Sequence, residues 1–379
     1  MSKRILILGA GSAQIDAIEY CKARGYEVAG CSYTNTDSGI PYLDYFEQID
    51  IKDVKGVAAL AEKYGASVIY SVGSDIAMPT VMKASEMLGL PHFISHETAE
   101  ICHCKNLMRE TLGHDFRGNV PFIVASSLEE ALAGIEEGSV SGLRLPAMMK
   151  PVDSQGQRGC FKITDRDDII SNFAASLDYS HSGQVIIEEY IEGPEISVNA
   201  YMQNGELRFA LVSDRYVLDE YPGGIIREHR VPSTFADQVS QDKAADLTSR
   251  VAGRLGVDNG PLYLQIKLRA DGEPMLLEVT PRLDGCHMWR LIKHYCGADL
   301  LDACFTHLLT GAPVLTEHFD FPERGYRLTF MSQETGSVFQ SNRFDTTGAE
   351  YVRPYYADGD TVGKVNGYIE KCGYIISAI

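Results

Sequence analysis

The sequence has no apolar run long enough to span a membrane. The longest near its start, Ile5-Leu6-Ile7-Leu8-Gly9-Ala10-Gly11, falls far short of the roughly 20 residues a spanning helix needs. Lys3-Arg4 precedes it as in an export signal, but Gln14 and Asp16 follow too soon for one. Basic residues are scarce: 34 Lys+Arg against 52 Asp+Glu give a net charge of −18. Such a surface repels phosphate backbones and anionic lipid, which argues against nucleic acid and membrane surfaces as partners. A nucleotide is not excluded, because a small anion answers to local lysines and arginines. The 9 cysteines are odd in number and scattered, so no disulfide framework is expected and a reducing cytoplasm fits better. Their single cluster, Cys102-His103-Cys104, lacks a second ligand pair at zinc spacing and reads as ordinary thiols. The only tryptophan, Trp289, reads as a core aromatic.

What remains is an ordinary globular composition. With 379 residues, 45% of them hydrophobic, the chain has the mass for two or three domains at roughly 150 residues each. Its first hundred residues alternate short apolar runs with helical patterns. Arg4–Leu8, Tyr26–Cys31, Phe46–Ile51 and Val68–Val72 read as strands. The helices between them end at glycines such as Gly25 and Gly65. Such alternation over short links predicts a parallel, doubly wound α/β sheet. The turn Gly9-Ala10-Gly11 invites a dinucleotide reading, but Gln14 stands where the third glycine belongs and no acid ends the second strand. A tight strand-to-helix turn is the plainer reading, and its amides suit a substrate carboxylate. Ser74-Asp75 opens a later helix, either as a simple cap or as part of the same crevice.

The middle of the chain carries the chemistry. A strand from Leu145 delivers Lys150, and a polar loop with glycines follows from Asp153 to Gly159, a combination suited to phosphates. It is not a Walker A loop, because Gly-Lys-Ser/Thr is absent. Val185–Val198 reads as strand, polar step, strand. In Gly260–Lys267, Gln265 and Lys267 fall on one face, and in Met275–Arg282 the residues Glu278, Thr280 and Arg282 do the same. Two antiparallel strands presenting Gln265, Glu278 and Thr280 gather oxygen ligands for Mg²⁺, with Arg282 placed for a transferring phosphoryl group.

In these ordered motifs the chain resembles the ATP-grasp proteins, a group that includes carboxylate–amine ligases and the halves of carbamoyl-phosphate synthase. The likeness runs over nearly the whole chain. It implies a pre-ATP-grasp domain over 1–98, a two-lobed ATP-grasp domain over 99–312 with its lid at about 117–189, and a small β-rich domain over 313–379. It implies ATP and Mg²⁺ (or Mn²⁺) as cofactors. Lys105 and Lys150 match the two ATP lysines. Ser154, Gln155, Gly156 and Gly159 fall in the loop that closes over the triphosphate. Glu188, Glu189, Tyr190 and Ile191 match the hinge that reads the adenine edge, and Glu195 the acid that binds ribose. Gln265 and Glu278 match metal positions. Thr280 stands where a metal-ligating Asn is usual. Arg282 matches the arginine that steadies the phosphorylated intermediate.

Two weaker matches complete the likeness. Arg215 in Ser213-Asp214-Arg215 is placed for the γ-phosphate. Arg227–Ser233, with Glu228 and His229, resembles the segment lining the acceptor pocket. Lys267 reads either as a γ-phosphate contact or as a partner of Glu278. The implied activity is an ADP-forming ligase that joins a small carboxylate to an amine through an acylphosphate, in a protein that by family habit dimerises. Two other readings stand beside it. Gln265 leans towards a small-molecule kinase of the carbamoyl-phosphate-synthase type. Thr280 permits a nucleotide-binding protein without catalysis, against which the retained Lys105, Lys150, Glu278 and Arg282 argue.

Overall fold

The computed structural model describes residues 3–136, 141–153, 159–218, 225–312, 315, 319–363 and 369–379. The N-terminal part alternates as its sequence predicts: β1 (Arg4–Leu8), α1 (Ser12–Ala23), β2 (Glu27–Ser32), β3 (Tyr45–Gln48), α2 (Val54–Tyr64), β4 (Val68–Tyr70) and α3 (Met78–Leu88). Its four parallel strands lie in the order β3-β2-β1-β4. Local chemistry sets the ends of α2. The Asp53 carboxylate accepts from the Gly56 amide, and Gly65 closes the helix at φ 61°, where a side chain is disfavoured. β3 stops at Gln48, short of the expected Ile51, because Asp50 folds a turn by accepting from Lys52 at 2.9 Å.

The glycine turn is filled from within. Gln14 accepts from the Gly11 amide at 2.9 Å through Oε1 and donates to the Val72 carbonyl through Nε2. The side chain in the place of a third glycine thus takes up the amide that a dinucleotide phosphate or a carboxylate would seek.

After α4 (His96–His103) and α5 (Lys105–Leu112), a second layer forms from β5 (Phe122–Ala125), α6 (Leu128–Gly134), β6 (Ala147–Pro151), β7 (Phe161–Ile163), α7 (Arg166–Leu177) and β8 (Val185–Glu189). Its antiparallel sheet, ordered β5-β8-β6-β7, has a core of its own around Met149, Ile163, Phe173 and Ile187.

The largest sheet begins with β9 (Glu195–Gln203), β10 (Glu206–Val217) and β11 (Ile226–Val231). It takes in β12 (Gly260–Leu268) and β13 (Pro274–Thr280) after α8 (Gln238–Leu255). Beyond α9 (Met288–Cys296) and α10 (Leu300–Thr310) come β14 (Tyr326–Glu334), β15 (Ala349–Pro354) and β16 (Ile369–Ala378). The order is β13-β12-β9-β10-β11-β14-β16-β15. The C-terminal strands therefore extend the central sheet through β11–β14 pairing, with His229 opposite Leu328, rather than forming a sheet apart. Trp289 is buried in the core, as its sequence context suggests. Among the described residues no helix is long and apolar enough to cross a membrane.

Candidate active site

Alternation along five strands builds the site. The registers place Gln265 opposite Glu278 and Tyr263 opposite Thr280 across β12–β13, and Gln265 opposite Ser197 across β12–β9. Ser213 lies opposite Ser197 across β9–β10, and Arg215 opposite His229 across β10–β11. Because opposed residues share a face, these side chains make one polar row across the sheet. The alternate residues Ile196, Val198, Leu264, Ile266 and Val279 fill the core behind it.

Within the row, Gln265 donates from Nε2 to Glu195, and Arg215 pairs with the same carboxylate oxygen. Ser197 and Tyr263 hydroxyls meet at 3.1 Å. Lys267 does not pair with Glu278; its ammonium donates to the Gly193 carbonyl at 2.9 Å. Glu278 is half-buried, and among the described residues its carboxylate makes no hydrogen bond, while Thr280 Oγ1 is buried without a partner. With the Gln265 nitrogen committed, the oxygens of Glu278, Gln265 and Thr280 form an all-oxygen donor set. That chemistry fits a hard cation such as Mg²⁺.

Towards the second layer, Glu188 is the focus of a buried charge cluster. Lys150 pairs with its carboxylate, and Arg109 Nε donates to it at 2.7 Å. Arg109, wholly buried, also donates to Asn119 Oδ1 at 2.8 Å. Burial would raise the Glu188 carboxyl, but the Lys150 and Arg109 charges outweigh it and hold it at about 2. Lys105 opens α5, and its charge, like that of Lys150, acts on the Cys160 thiol that burial raises. The hinge follows directly. Glu189 and Tyr190 amides donate to the Pro121 and Pro146 carbonyls, both at 2.9 Å, whereas the Ile191 amide donates to no described residue. Glu189 is held by Arg269 at 2.6 Å. Pro146, Tyr190, Ile191 and Arg269 line a cleft of about 530 Å³ beside the hinge. Gly159 adopts φ 70°; Ser154, Gln155 and Gly156 lie outside the described residues.

At the other end, Arg282 is buried and paired with Asp75, with Nε at 2.7 Å, so the N-terminal sheet closes this side of the site. Ser74 holds the N-cap position of that turn without a side-chain cap bond, and Asp75 is taken up by Arg282. His229 points into the row. Glu228, one residue earlier, faces away, held by Arg230 and by the Thr329 hydroxyl at 3.2 Å. Asp214 likewise turns from the row and fixes the following loop, accepting from the Thr234 amide at 2.8 Å. Burial, with Arg215 and Lys371 adding, lowers His229 to about 4, against the opposing Asp284.

The sequence patterns did not single out Arg109, Asp284 or Cys286. Arg109 lies inside a helix and reads as a surface residue; its partner Glu188 comes 79 positions later. The Cys102–Cys104 cluster lies apart from the one grouping of metal-ligand types found among the described residues, His229, Asp284 and Cys286.

Residues 143–289 match the family model of the ATP-grasp domain. It is 25% identical over 269 residues to the alanine–anticapsin ligase of Bacillus subtilis (strain 168), covering 65% of this chain and 55% of that one. The chain spans less than two thirds of the length of each curated relative it is set beside. The fold matches phosphoribosylglycinamide synthetase from Anaerococcus prevotii (TM-score 0.79, 17% identity, 100% of this chain and 94% of that). It matches L-amino acid ligase from Bacillus licheniformis as well (TM-score 0.78, 18% identity, 100% and 93%).

Proposed function

We propose that this chain is an ADP-forming carboxylate–amine ligase. A small carboxylate attacks the γ-phosphate of ATP, giving an acylphosphate and ADP; an amine then displaces phosphate to leave an amide. Carboxylate alone is a poor electrophile because its leaving group would be oxide, and phosphorylation removes that obstacle. The observation that carries this reading is the Glu278–Gln265 pair on β13 and β12. Among the described residues its oxygens are unengaged, Arg282 stands four residues on, and the polar row leads through Glu195 to the hinge.

In this reading Glu278 and Gln265, with Thr280, hold Mg²⁺, which supplies charge neutralisation to the triphosphate. Lys105 and Lys150 bind phosphate oxygens, and Ser154, Gln155, Gly156 and Gly159 serve the same triphosphate. Glu188 holds Lys150 in place. Glu189, Tyr190 and Ile191 border the adenine, whose edge would accept from the Ile191 amide, and Glu195 meets the ribose. Arg282 and Arg215 steady the phosphoryl group in flight, and Lys267 fixes the strand that leads to it. The division at 98 and 312 belongs to the same reading. Relatives named alanine–anticapsin ligase and L-amino acid ligase support amino acids as the substrate class.

The test is ADP release from Mg²⁺-ATP with pooled amino acids and small carboxylates, using Glu278→Ala as the blank. ADP that appears only with a carboxylate and an amine together supports the ligase. ADP with a carboxylate alone would replace it with a kinase, and bound ATP without turnover in any pool would point to a non-catalytic binder.

A further inference from the structure

We propose that His229, Asp284 and Cys286 form a second metal site, for a borderline-soft divalent cation of the Zn²⁺ type, apart from the oxygen set at Glu278 and Gln265. His229 comes from β11, and Asp284 and Cys286 from the turn after Arg282. One donor atom from each lies within 4.8 Å of the other two, and the residues are 0%, 5% and 7% exposed.

The cluster is short of partners. Both ring nitrogens of His229 and Oδ2 of Asp284 make no hydrogen bond among the described residues. The other Asp284 oxygen accepts the Cys286 amide at 3.0 Å, which folds the turn and brings carboxylate and thiol to the same side. Buried polar atoms are rarely left unmet, and several converging on one point call for a shared partner.

Donor type decides which partner. Imidazole, thiolate and carboxylate together suit Zn²⁺ and are a poor set for Mg²⁺, which keeps to oxygen. Binding would release the Cys286 thiol proton to solvent. Thiolate and carboxylate then cancel the charge of the ion, with the imidazole neutral. Three cations border the cluster, and one of them, Arg282, is paired with Asp75. Arg215, opposite His229, has its charge taken up by Glu195. The Lys371 ammonium lies 3.7 Å from Cys286 Sγ, placed to donate to a metal-bound thiolate, the kind of outer contact that orients such ligands. Three protein ligands leave a fourth tetrahedral position for water or for a nitrogen or oxygen donor of a substrate. None of this depends on the ligase reading.

The test is a Co²⁺ titration of the metal-stripped full chain under reducing conditions, read by absorption. One Co²⁺ per chain is expected, with the visible bands of a tetrahedral ion and a thiolate-to-cobalt charge-transfer band. Stoichiometric Zn²⁺ should displace it, and a roughly 100-fold excess of Mg²⁺ should not. Cys286→Ser should abolish the charge-transfer band and weaken binding at least about 10-fold, while Cys296→Ser changes neither. His229→Gln carries the same affinity test should Cys286→Ser fail to fold, which circular dichroism reports. A wild-type chain without the charge-transfer band, a band that survives Cys286→Ser, undiminished affinity in His229→Gln, or displacement by Mg²⁺ overturns the proposal.

Discussion

Arg282 Nε donates to the Asp75 carboxylate at 2.7 Å, tying the end of the Glu278 strand to the N-terminal sheet. The same seam is closed by the Gly73 amide, which donates to the Leu283 carbonyl at 3.1 Å. A parallel sheet whose glycine turn is filled by Gln14 thus serves to aim an arginine. Asp75→Asn should keep the shape of this contact and lose its charge. Because Asp75 is partly exposed, we expect a stability loss of only about 1 kcal/mol in urea titration. ADP release should fall roughly 10-fold as Arg282 loses its fixed direction. An unchanged rate would mean that Arg282 is aimed by other contacts.

Glu278 separates chemistry from stability. Its carboxylate makes no hydrogen bond among the described residues, so removing it should leave the melting temperature unchanged. Loss of a transition-state charge clamp should nonetheless cost at least roughly 100-fold in turnover. Near-wild-type ADP release by Glu278→Ala would remove it from the metal set.

Glu188 should make stability depend on acid. Its folded value of about 2 lies below the ordinary 4.5, so its contribution is fully present above 4.5 and is lost as pH falls through 2. Urea midpoints measured across that window should decline more steeply for the wild type than for Glu188→Gln. At neutral pH the variant leaves the wholly buried Arg109 without its anion, a loss of about 3–5 kcal/mol. Equal slopes would mean that Glu188 is not the group that titrates.

Lys150→Ala should act on nucleotide binding before turnover. The lysine pairs with Glu188, but Arg109 still compensates the carboxylate when it is gone. Stability should therefore fall less than in Glu188→Gln, while ATP affinity measured by calorimetry drops at least about 10-fold, as loss of a charged phosphate contact would require. Unchanged affinity would separate Lys150 from the phosphate site.

What the sequence could show follows from the range of each interaction. The ends of α2 were legible because Asp53 and Gly65 act within one turn. The polar faces of β12 and β13 were legible because alternation needs no partner strand. Register is another matter: that Gln265 meets Glu278, or that His229 meets Arg215, is fixed by strands brought together from afar. Glu228 and His229 looked equivalent as neighbours and face opposite ways in the sheet. The joining of β14–β16 to the central sheet was hidden for the same reason, since pairing between β11 and β14 leaves no local signature. Gln14 shows the reverse case. A glycine motif one residue short reads as a tight turn, and only the fold shows that Gln14 itself fills the space.

A close backbone approach in the site gives the last prediction. A Cβ at Gly285 would stand 3.0 Å from the Gly73 carbonyl oxygen and 3.1 Å from its Cα, with backbone that cannot swing aside. Gly285 is not in a positive-φ conformation, so the cost of Gly285→Ala is crowding rather than strain at its own backbone. Overpacking of this kind should destabilise by about 1–3 kcal/mol and push the Arg282–Cys286 turn from the N-terminal sheet. Gly253 in α8 supplies the contrast, because nothing lies within 4 Å of its added Cβ. Gly253→Ala should stabilise by roughly 0.5–1 kcal/mol, as alanine does in a helix interior. Thermal melts should therefore move in opposite directions, and only Gly285→Ala should lose ADP release. A neutral melt and full activity in Gly285→Ala would mean that the seam between Gly73 and Gly285 has room to open, and that the turn is positioned by the Asp75–Arg282 pair alone.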